Sequence, residues 1–260
     1  MWAWIKRLFS GFASKPVQKP VQKPQTPQVE KTEPKPEAPK AEAPVEHILP
    51  AKELWYPKAV IPKKKMNARS EYAKGYPEGA IVHFTAGRDK TEDDSISTYE
   101  WGLSEGYVFF VIGPTGVVYQ GFPLSHGGSH AGESQWPGLG TSVSRKVVGI
   151  EVACAGKVDS NGKSWFGVTY PKSELRYVDE SYGCPEGYYK KYTPEQEKAL
   201  IELLVWLKKN NPDVFQVDYI LGHHEVAGKL GIGYWRKNDP GGALSMPMPA
   251  LRELIRSKVK

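Results

Sequence analysis

The sequence predicts an α/β domain, with a central mixed β-sheet flanked by helices, that follows a disordered N-terminal tail. Short apolar runs of strand length alternate with amphipathic helical patterns, and 40% of the 260 residues are hydrophobic, which is enough for a substantial core. Residues 15–50 are dominated by Lys, Pro, Gln, Glu and Ala and offer no periodic apolar face, which predicts the tail. We therefore expect one folded domain over residues 56–260.

The tail divides into two segments. Residues 1–14, MWAWIKRLFSGFAS, place apolar and basic side chains at helical spacing, which predicts a short amphipathic basic helix. Lys6 and Arg7 interrupt any apolar run long enough for a secretory signal, and attachment to a membrane surface or an unbound terminus are equally compatible with the pattern. Residues 15–55 are predicted to be a Pro/Lys-rich linker, in which KPVQKPVQKPQ favours extended polyproline II segments.

The basic charge of the chain belongs to the tail and argues against nucleic-acid binding. Of the 35 Lys and Arg and 29 Asp and Glu, residues 1–65 hold 13 and 6, which leaves 22 basic and 23 acidic residues in 66–260. A nucleic-acid-binding domain would carry a basic excess on its own fold. Cys154 and Cys184 are too few for a disulfide framework, and one pairing or two free thiols both stay open.

The elements of the domain follow in order along the chain. Apolar and β-branched runs predict strands over Ala80–Ala86, Tyr107–Gly113, Val117–Gly121 and Val147–Ala155. The clearest helix runs from Thr193 to Asn210, because Thr193 caps it and Gln196 completes a capping box. The pattern predicts two further segments, a short strand leading into a loop over Val217–Ala227 and a closing helix over Met248–Val259.

Three residues on different elements suggest a zinc site. His83 lies in a buried strand, His223 follows another strand, and Asp239 precedes Pro240, which disfavours the α region for Asp239. A histidine within an apolar strand is more often a core residue, so neither histidine is decisive alone. Together, two imidazoles and one carboxylate leave a fourth tetrahedral position open for water, as in catalytic zinc sites.

Five segments in register resemble the type 2 N-acetylmuramoyl-L-alanine amidases, which are related to peptidoglycan recognition proteins and phage endolysins. The segments are IVHFTAG, EGYVFFVIGPTGVVYQG, VVGIEVACAG, the YTPEQ helix and GHHEVA followed by RKNDPG. The resemblance implies a zinc amidase catalytic domain over 56–260 with the fold of the peptidoglycan recognition proteins. It also implies that His83, His223 and Asp239 bind Zn²⁺. The bond cut would join the muramoyl lactyl group to L-alanine of the stem peptide.

The resemblance assigns roles to residues around the metal. Glu151 matches the family's acidic catalytic residue and is expected to act as general base and acid, the alternative being an outward-facing strand carboxylate. Lys237 is expected to stabilise the tetrahedral oxyanion, the alternative being an ordinary loop cation. Tyr107 is expected to donate a hydrogen bond at the zinc site, although a tyrosine that starts a strand is as often a packing residue. His130 and Trp165 are expected to contact the substrate.

Two segments depart from the family pattern. Lys229–Trp235 lengthens the loop between His223 and Asp239, and the aromatic-rich Asp159–Tyr192 resembles an insertion found in some phage enzymes. A lid that packs over the sheet edge is one interpretation of this insertion. The other is that exposed aromatic side chains flank the substrate groove: Trp165, Phe166, Tyr170 and Tyr188.

The expected partner is bacterial peptidoglycan, and the expected state is a monomer that acts at the cell wall. A phage lysin released from the host cytoplasm and a membrane-held enzyme, with residues 1–14 on the membrane surface, both fit the tail. The main alternative is a non-catalytic peptidoglycan-binding module, which would not need Glu151 and Lys237 beside a complete ligand set. A membrane-tethered structural protein is a second alternative. A third alternative concerns the zinc site, at which His224 rather than His223 could face the metal.

Overall fold

The computed structural model describes residues 53–63 and 70–260, so the predicted helix over 1–14 and nearly all of the predicted linker lie outside the described residues. The strands are β1 (Ser70–Glu71), β2 (Ala80–Phe84), β3 (Phe109–Ile112), β4 (Val118–Tyr119), β5 (His126–Gly127), β6 (Gln135–Trp136), β7 (Gly140–Thr141), β8 (Val148–Val152), β9 (Lys157–Val158), β10 (Leu175–Val178), β11 (Gly187–Lys190) and β12 (Ile220–Gly222). The helices are α1 (Glu92–Glu105), α2 (Pro194–Asn210), α3 (His223–Val226) and α4 (Met248–Val259). Of these helices, none is both long and apolar enough to cross a membrane.

A five-stranded mixed sheet forms the centre of the domain, with the strand order β12-β2-β8-β3-β4. The first four strands are parallel, and β4 pairs antiparallel with β3. All residues of β2, β3 and β8 are buried, as expected for parallel strands that are covered on both faces. The predicted central mixed sheet is confirmed, and the four predicted strands are present with shorter bounds.

The two faces of the sheet are covered differently. Helices α2 and α4 pack on one face, where they bury alternate strand residues such as Val82, Ile150 and Phe110. The opposite face carries two smaller clusters, one around Ile81 and one around Phe109, the latter beside α1. Since side chains alternate along a strand, His83 lies on the same face as Ile81 and away from α2 and α4.

Helix α2 begins as the sequence predicts. Thr193 Oγ1 accepts a hydrogen bond from the Gln196 amide at 3.1 Å, and Gln196 Oε1 accepts one from the Thr193 amide at 2.9 Å. The Gln196 side chain also donates to the Ala153 carbonyl at 2.7 Å, just beyond the end of β8. The cap therefore starts the helix and fixes it to the sheet.

Two helices differ from the sequence prediction. The predicted loop after β12 is the one-turn helix α3, because the Glu225 carboxylate accepts a hydrogen bond from the Gly222 amide at 2.8 Å and pairs with Arg252 of α4. Helix α1 was not predicted, although Thr91 and Asp94 form a capping box at its start. Its buried residues are few, so it lacks the apolar stripe by which α2 is recognised.

The insertion Asp159–Tyr192 contributes β10 and β11 to a small antiparallel sheet with the order β10-β11-β9. One face of this sheet packs on the segment after Asp239, where the Tyr189 ring fills the space that a Cβ atom would need at Gly241 and Gly242. The insertion therefore helps to fix the segment that follows Asp239.

We predict that Thr193→Ala lowers the free energy of unfolding by about 1 kcal/mol, because the substitution removes the N-cap acceptor of α2. Denaturant titration measures this change, with the exposed Thr141→Ala as control. Equal losses in the two variants would contradict a specific role for the cap.

Candidate metal centre and active site

Sheet pairing and one loop bring three predicted ligands together. His83 is the fourth residue of β2, and His223 follows directly after β12, the parallel neighbour of β2. Asp239 comes from the loop after α3, and its carbonyl oxygen lies 2.9 Å from both the backbone nitrogen and Nδ1 of His224. His224 thus holds the Asp239 backbone, and it is the His223 ring that faces the other two ligands.

The three side chains meet through one atom each. His83 Nδ1 lies 3.0 Å from His223 Nδ1, and each of these nitrogens lies 2.9 Å from Asp239 Oδ2. All three residues are buried, and they form a group that could hold a metal ion. In tetrahedral geometry, bonds of 2.0–2.1 Å would place ligand atoms about 3.3 Å apart, so the observed triangle is close to the size that zinc requires.

The hydrogen bonds behind the histidines decide which atoms face the centre. His223 Nε2 lies 3.0 Å from the Ala131 carbonyl, which can only accept, so this nitrogen carries the proton and Nδ1 has a free lone pair. His130 Nε2 likewise donates to the Val147 carbonyl at 2.9 Å. Its Nδ1 then accepts from His83 Nε2 at 3.1 Å, which leaves the lone pair of His83 Nδ1 facing inward.

Burial disfavours the protonated form of these imidazoles. It lowers the pKa of His83 to about 4 and that of His130 to about 3, and it also lowers the pKa of His223. Burial alone would raise the pKa of Asp239, but the adjacent histidines outweigh it and hold that pKa well below its usual range. Two imidazole nitrogens and a carboxylate oxygen therefore converge on one point, and a cation that binds there displaces any proton that they share.

Glu151 and Lys237 stand beside this cluster in the same cavity. Glu151 is level with His83 across the β2–β8 pair, and its Oε2 atom is buried without a hydrogen-bond partner among the described residues. Burial, reinforced by the charge of Asp239 and opposed by Lys237, raises the pKa of Glu151 to about 8. Burial also lowers the pKa of Lys237. The site thus combines the basic side chain of Lys237 with the Glu151 carboxyl group, which can exchange a proton near neutral pH.

The cavity has a volume of about 340 Å³ and extends from the ligand cluster to Trp165 of the insertion. Its lining also includes Lys157. The Trp165 indole donates a hydrogen bond to the Ala86 carbonyl at 2.6 Å, and its ring lies edge-on to Phe166. The hydrogen bond fixes a partly exposed aromatic ring beside the cavity.

Two predicted site residues, Tyr107 and His130, do not line the cavity. Tyr107 precedes β3, and Val111 is the residue of that strand that is level with Glu151. At about 3.3 Å per residue, Tyr107 lies on the order of 13 Å farther down the sheet, where its ring packs against Trp101. The expected hydrogen bond from Tyr107 at the metal therefore has no geometric support. His130 is 1% exposed and contacts His83 from behind, so it does not line the cavity as a substrate contact would.

The aromatic residues of the insertion separate into two groups. Trp165 and Tyr188 are exposed as expected, whereas Phe166 is partly buried against the cluster that contains Tyr170. Tyr170 is buried and donates a hydrogen bond to Asp89 at 2.9 Å. The expected exposure of Tyr170 is wrong, because this residue ties the insertion to the loop after β2. Cys154 and Cys184 are both free thiols.

Sequence reasoning missed Arg176, which supports the Asp239 segment. This residue of β10 donates from Nη1 to the Gly242 and Leu244 carbonyls at 2.9 and 2.6 Å. Tyr182 donates to the Leu244 carbonyl as well, at 2.8 Å. No local sequence signal marks these contacts, since they join positions more than 60 residues apart.

Comparison with known proteins identifies the family. The sequence profile of the family described as N-acetylmuramoyl-L-alanine amidase matches residues 73–242, and the chain belongs to this family. The predicted family and enzyme class, peptidoglycan-hydrolysing amidases, are confirmed. No curated protein matches the chain.

The chain is similar to solved structures at low sequence identity, and one of them, with a TM-score above 0.5, shows the same fold. A selenomethionine derivative of AmpD has 17% identity and a TM-score of 0.51, over 80% of this chain and 99% of that chain. AmiD from E. coli, solved with the substrate anhydro-N-acetylmuramic acid-L-Ala-D-γ-Glu-L-Lys, has 20% identity and a TM-score of 0.46, over 74% and 60% of the two chains. The endolysin LysCS from Clostridium intestinale has 19% identity and a TM-score of 0.43, over 78% and 98%.

We predict that Glu151→Gln changes how the stability of the metal-free protein depends on pH. The folded protein keeps the Glu151 proton up to a pKa of about 8, whereas the unfolded chain loses it near the ordinary value of 4.5. The stabilisation from the raised pKa is therefore complete below pH 4.5 and is lost as the pH rises toward 8. By pH 7 the difference amounts to about 3 kcal/mol, which the neutral Gln side chain avoids.

Denaturant titration of both metal-free proteins between pH 4.5 and 8 measures this effect. The free energy of unfolding of the wild type should fall relative to that of the variant across this range. The exposed Glu133→Gln serves as control and should follow the wild type. Parallel curves for the wild type and Glu151→Gln would show that the Glu151 carboxyl is ionised in the fold.

Proposed function

We propose that this chain hydrolyses the amide bond between N-acetylmuramic acid and L-alanine of the peptidoglycan stem peptide, with zinc held by His83, His223 and Asp239. The observation that carries the proposal is the convergence of three potential ligand atoms in a cavity that is also lined by Glu151 and Lys237. The muropeptide named as the substrate of AmiD contains this bond, which supports the same substrate class. The family membership of the chain supports the reaction type.

Glu151, Lys237 and Trp165 have separate roles in the proposed reaction. A bound zinc ion supplies a more acidic water and polarisation of the amide carbonyl. Glu151, in its ionised form, accepts the proton of the attacking water and returns it to the leaving amine of L-alanine as the carbon–nitrogen bond breaks. Its pKa of about 8 leaves a fraction of this form available near neutral pH. The Lys237 ammonium stabilises the oxyanion. Trp165 packs against the bound muropeptide at the entrance.

The alternatives fit the site less well. A module that only binds peptidoglycan has no need of a buried carboxyl with a raised pKa beside three converging ligand atoms. The monomeric state and the membrane contact of residues 1–14 remain predictions, and the latter lies outside the described residues.

We predict that the purified protein releases new L-alanine amino termini from peptidoglycan and that a zinc chelator abolishes this release. Asp239→Ala should lose both bound zinc and activity, because two histidines alone bind the ion weakly. Analysis of the new termini and the zinc content measures both effects. The exposed Asp213→Ala serves as control. New reducing sugar ends, or an Asp239→Ala protein with full zinc and activity, would overturn the proposal.

We predict that Glu151→Gln retains zinc but lowers kcat by about 10²- to 10⁴-fold, because it removes the group that transfers the proton. Lys237→Met should lower kcat by about 10²- to 10³-fold, because it removes the cation at the oxyanion. Steady-state hydrolysis of a soluble muropeptide and zinc analysis separate these effects from metal loss. Glu133→Gln and the exposed Lys163→Met are the matched controls. Full turnover in Glu151→Gln would assign the base to another group.

A further inference from the structure

We infer that His130 is a positioning residue of the metal centre, which holds the His83 ring so that its Nδ1 lone pair faces the ion. This inference rests on the proposed metal site. Its basis is a chain of two hydrogen bonds from His83 Nε2 to His130 Nδ1, at 3.1 Å, and from His130 Nε2 to the Val147 carbonyl, at 2.9 Å. The carbonyl fixes the direction of both bonds, because it can only accept.

The His130 ring is held firmly enough to act in this way. It is 1% exposed and stands nearly perpendicular to the His83 ring, at 85°, with the ring centres 5.3 Å apart. Ser144 Oγ accepts hydrogen bonds from the backbone amides of His130 and Ala131, at 3.4 and 2.9 Å. The segment that carries the ring is therefore anchored independently of any bound ion.

The same dipeptide contacts both ligand histidines. The His130 side chain accepts from His83, and the next carbonyl, that of Ala131, accepts from His223 at 3.0 Å. A ligand histidine whose second nitrogen is hydrogen-bonded in this way keeps one tautomer and one ring orientation. His130–Ala131 thus selects Nδ1 as the inward-facing atom on both rings.

The sheet leaves room for this arrangement at Gly149. A Cβ atom at this position would lie 2.8 Å from His130 Cγ, 3.0 Å from His130 Nδ1 and 2.9 Å from Phe109 Cβ. Gly149 is level with Ile81 in the β2–β8 pair, two residues before the His83 level. A side chain at 149 would therefore press on the His130 ring from one side and on Phe109 from the other, and the ring could not keep its place behind His83.

Two amide substitutions separate the two hydrogen bonds of His130. In His130→Asn the side-chain oxygen can stand near the former Nδ1 position and keep an acceptor for His83. In His130→Gln the amide group reaches the former Nε2 position, where it can donate to Val147 but leaves His83 Nε2 without its acceptor. We expect zinc affinity to fall about 10- to 100-fold in His130→Gln and to stay within a few fold of the wild type in His130→Asn.

Competition with a chromophoric chelator measures zinc affinity in the full chain without reference to activity. The visible spectrum of the cobalt(II)-loaded protein reports the ligand geometry, which should change in His130→Gln. Thermal unfolding of the metal-free proteins reports general damage to the fold, which both substitutions cause to a similar degree. Gly149→Ala, which displaces the ring without replacing it, should weaken zinc binding and alter the cobalt spectrum in the same direction.

The outcomes separate this inference from the proposed function. A wild-type protein that binds no zinc would overturn the metal site itself. A wild type that binds zinc and cleaves muropeptide, with unchanged affinity and cobalt spectrum in both His130→Gln and Gly149→Ala, would overturn the role of His130 alone. Equal losses of affinity in His130→Asn and His130→Gln would also overturn it, since the acceptor at the Nδ1 position would then not matter.

Discussion

The parallel pairing of β2 with both of its neighbours is the constraint on which the site depends. The β2–β8 register sets His83 level with Glu151, and the β2–β12 register sets Gly222 level with Val82, so that His223 follows at the level of His83. Because side chains alternate between faces, a slip of one residue would turn His83 toward the helix-covered core. The register of one short strand thus decides whether His83, Glu151 and His223 can meet at one point.

Exclusion of water from that strand end then sets the charges. Burial lowers the pKa values of His83 and His223 and raises that of Glu151 to about 8, while hydrogen bonds and charge from the two histidines hold the pKa of Asp239 well below its usual range. Contacts of 2.9 Å from each histidine to Asp239 Oδ2 hold the three groups together. The same burial gives Glu151 a pKa near the neutral range, which suits proton transfer.

Much of this organisation could be predicted from local patterns. The buried strands, the capping box of α2 and the turn chemistry at Asp239 are each specified by a few adjacent residues, and the order of the motifs supplied the family. The role of His130 could not be predicted in the same way, because its contact with His83 spans 47 residues and depends on a missing side chain at Gly149. Helix α1 was missed because its cap is clear but its apolar face is narrow.

The two departures from the family pattern, the longer loop Lys229–Trp235 and the insertion Asp159–Tyr192, contact one another. A longer loop before Asp239 would by itself leave this ligand less well fixed. The structure instead shows the loop residue Lys229 paired with Glu180 of the insertion at 2.6 Å, while Arg176 of the insertion donates to carbonyls of the segment after Asp239. The exposed Lys229 pair contributes little energy, so most of the support comes from the partly buried Arg176 and from Tyr189 packed on Gly241. The insertion therefore holds the Asp239 segment in place through tertiary contacts, although the loop before Asp239 is long.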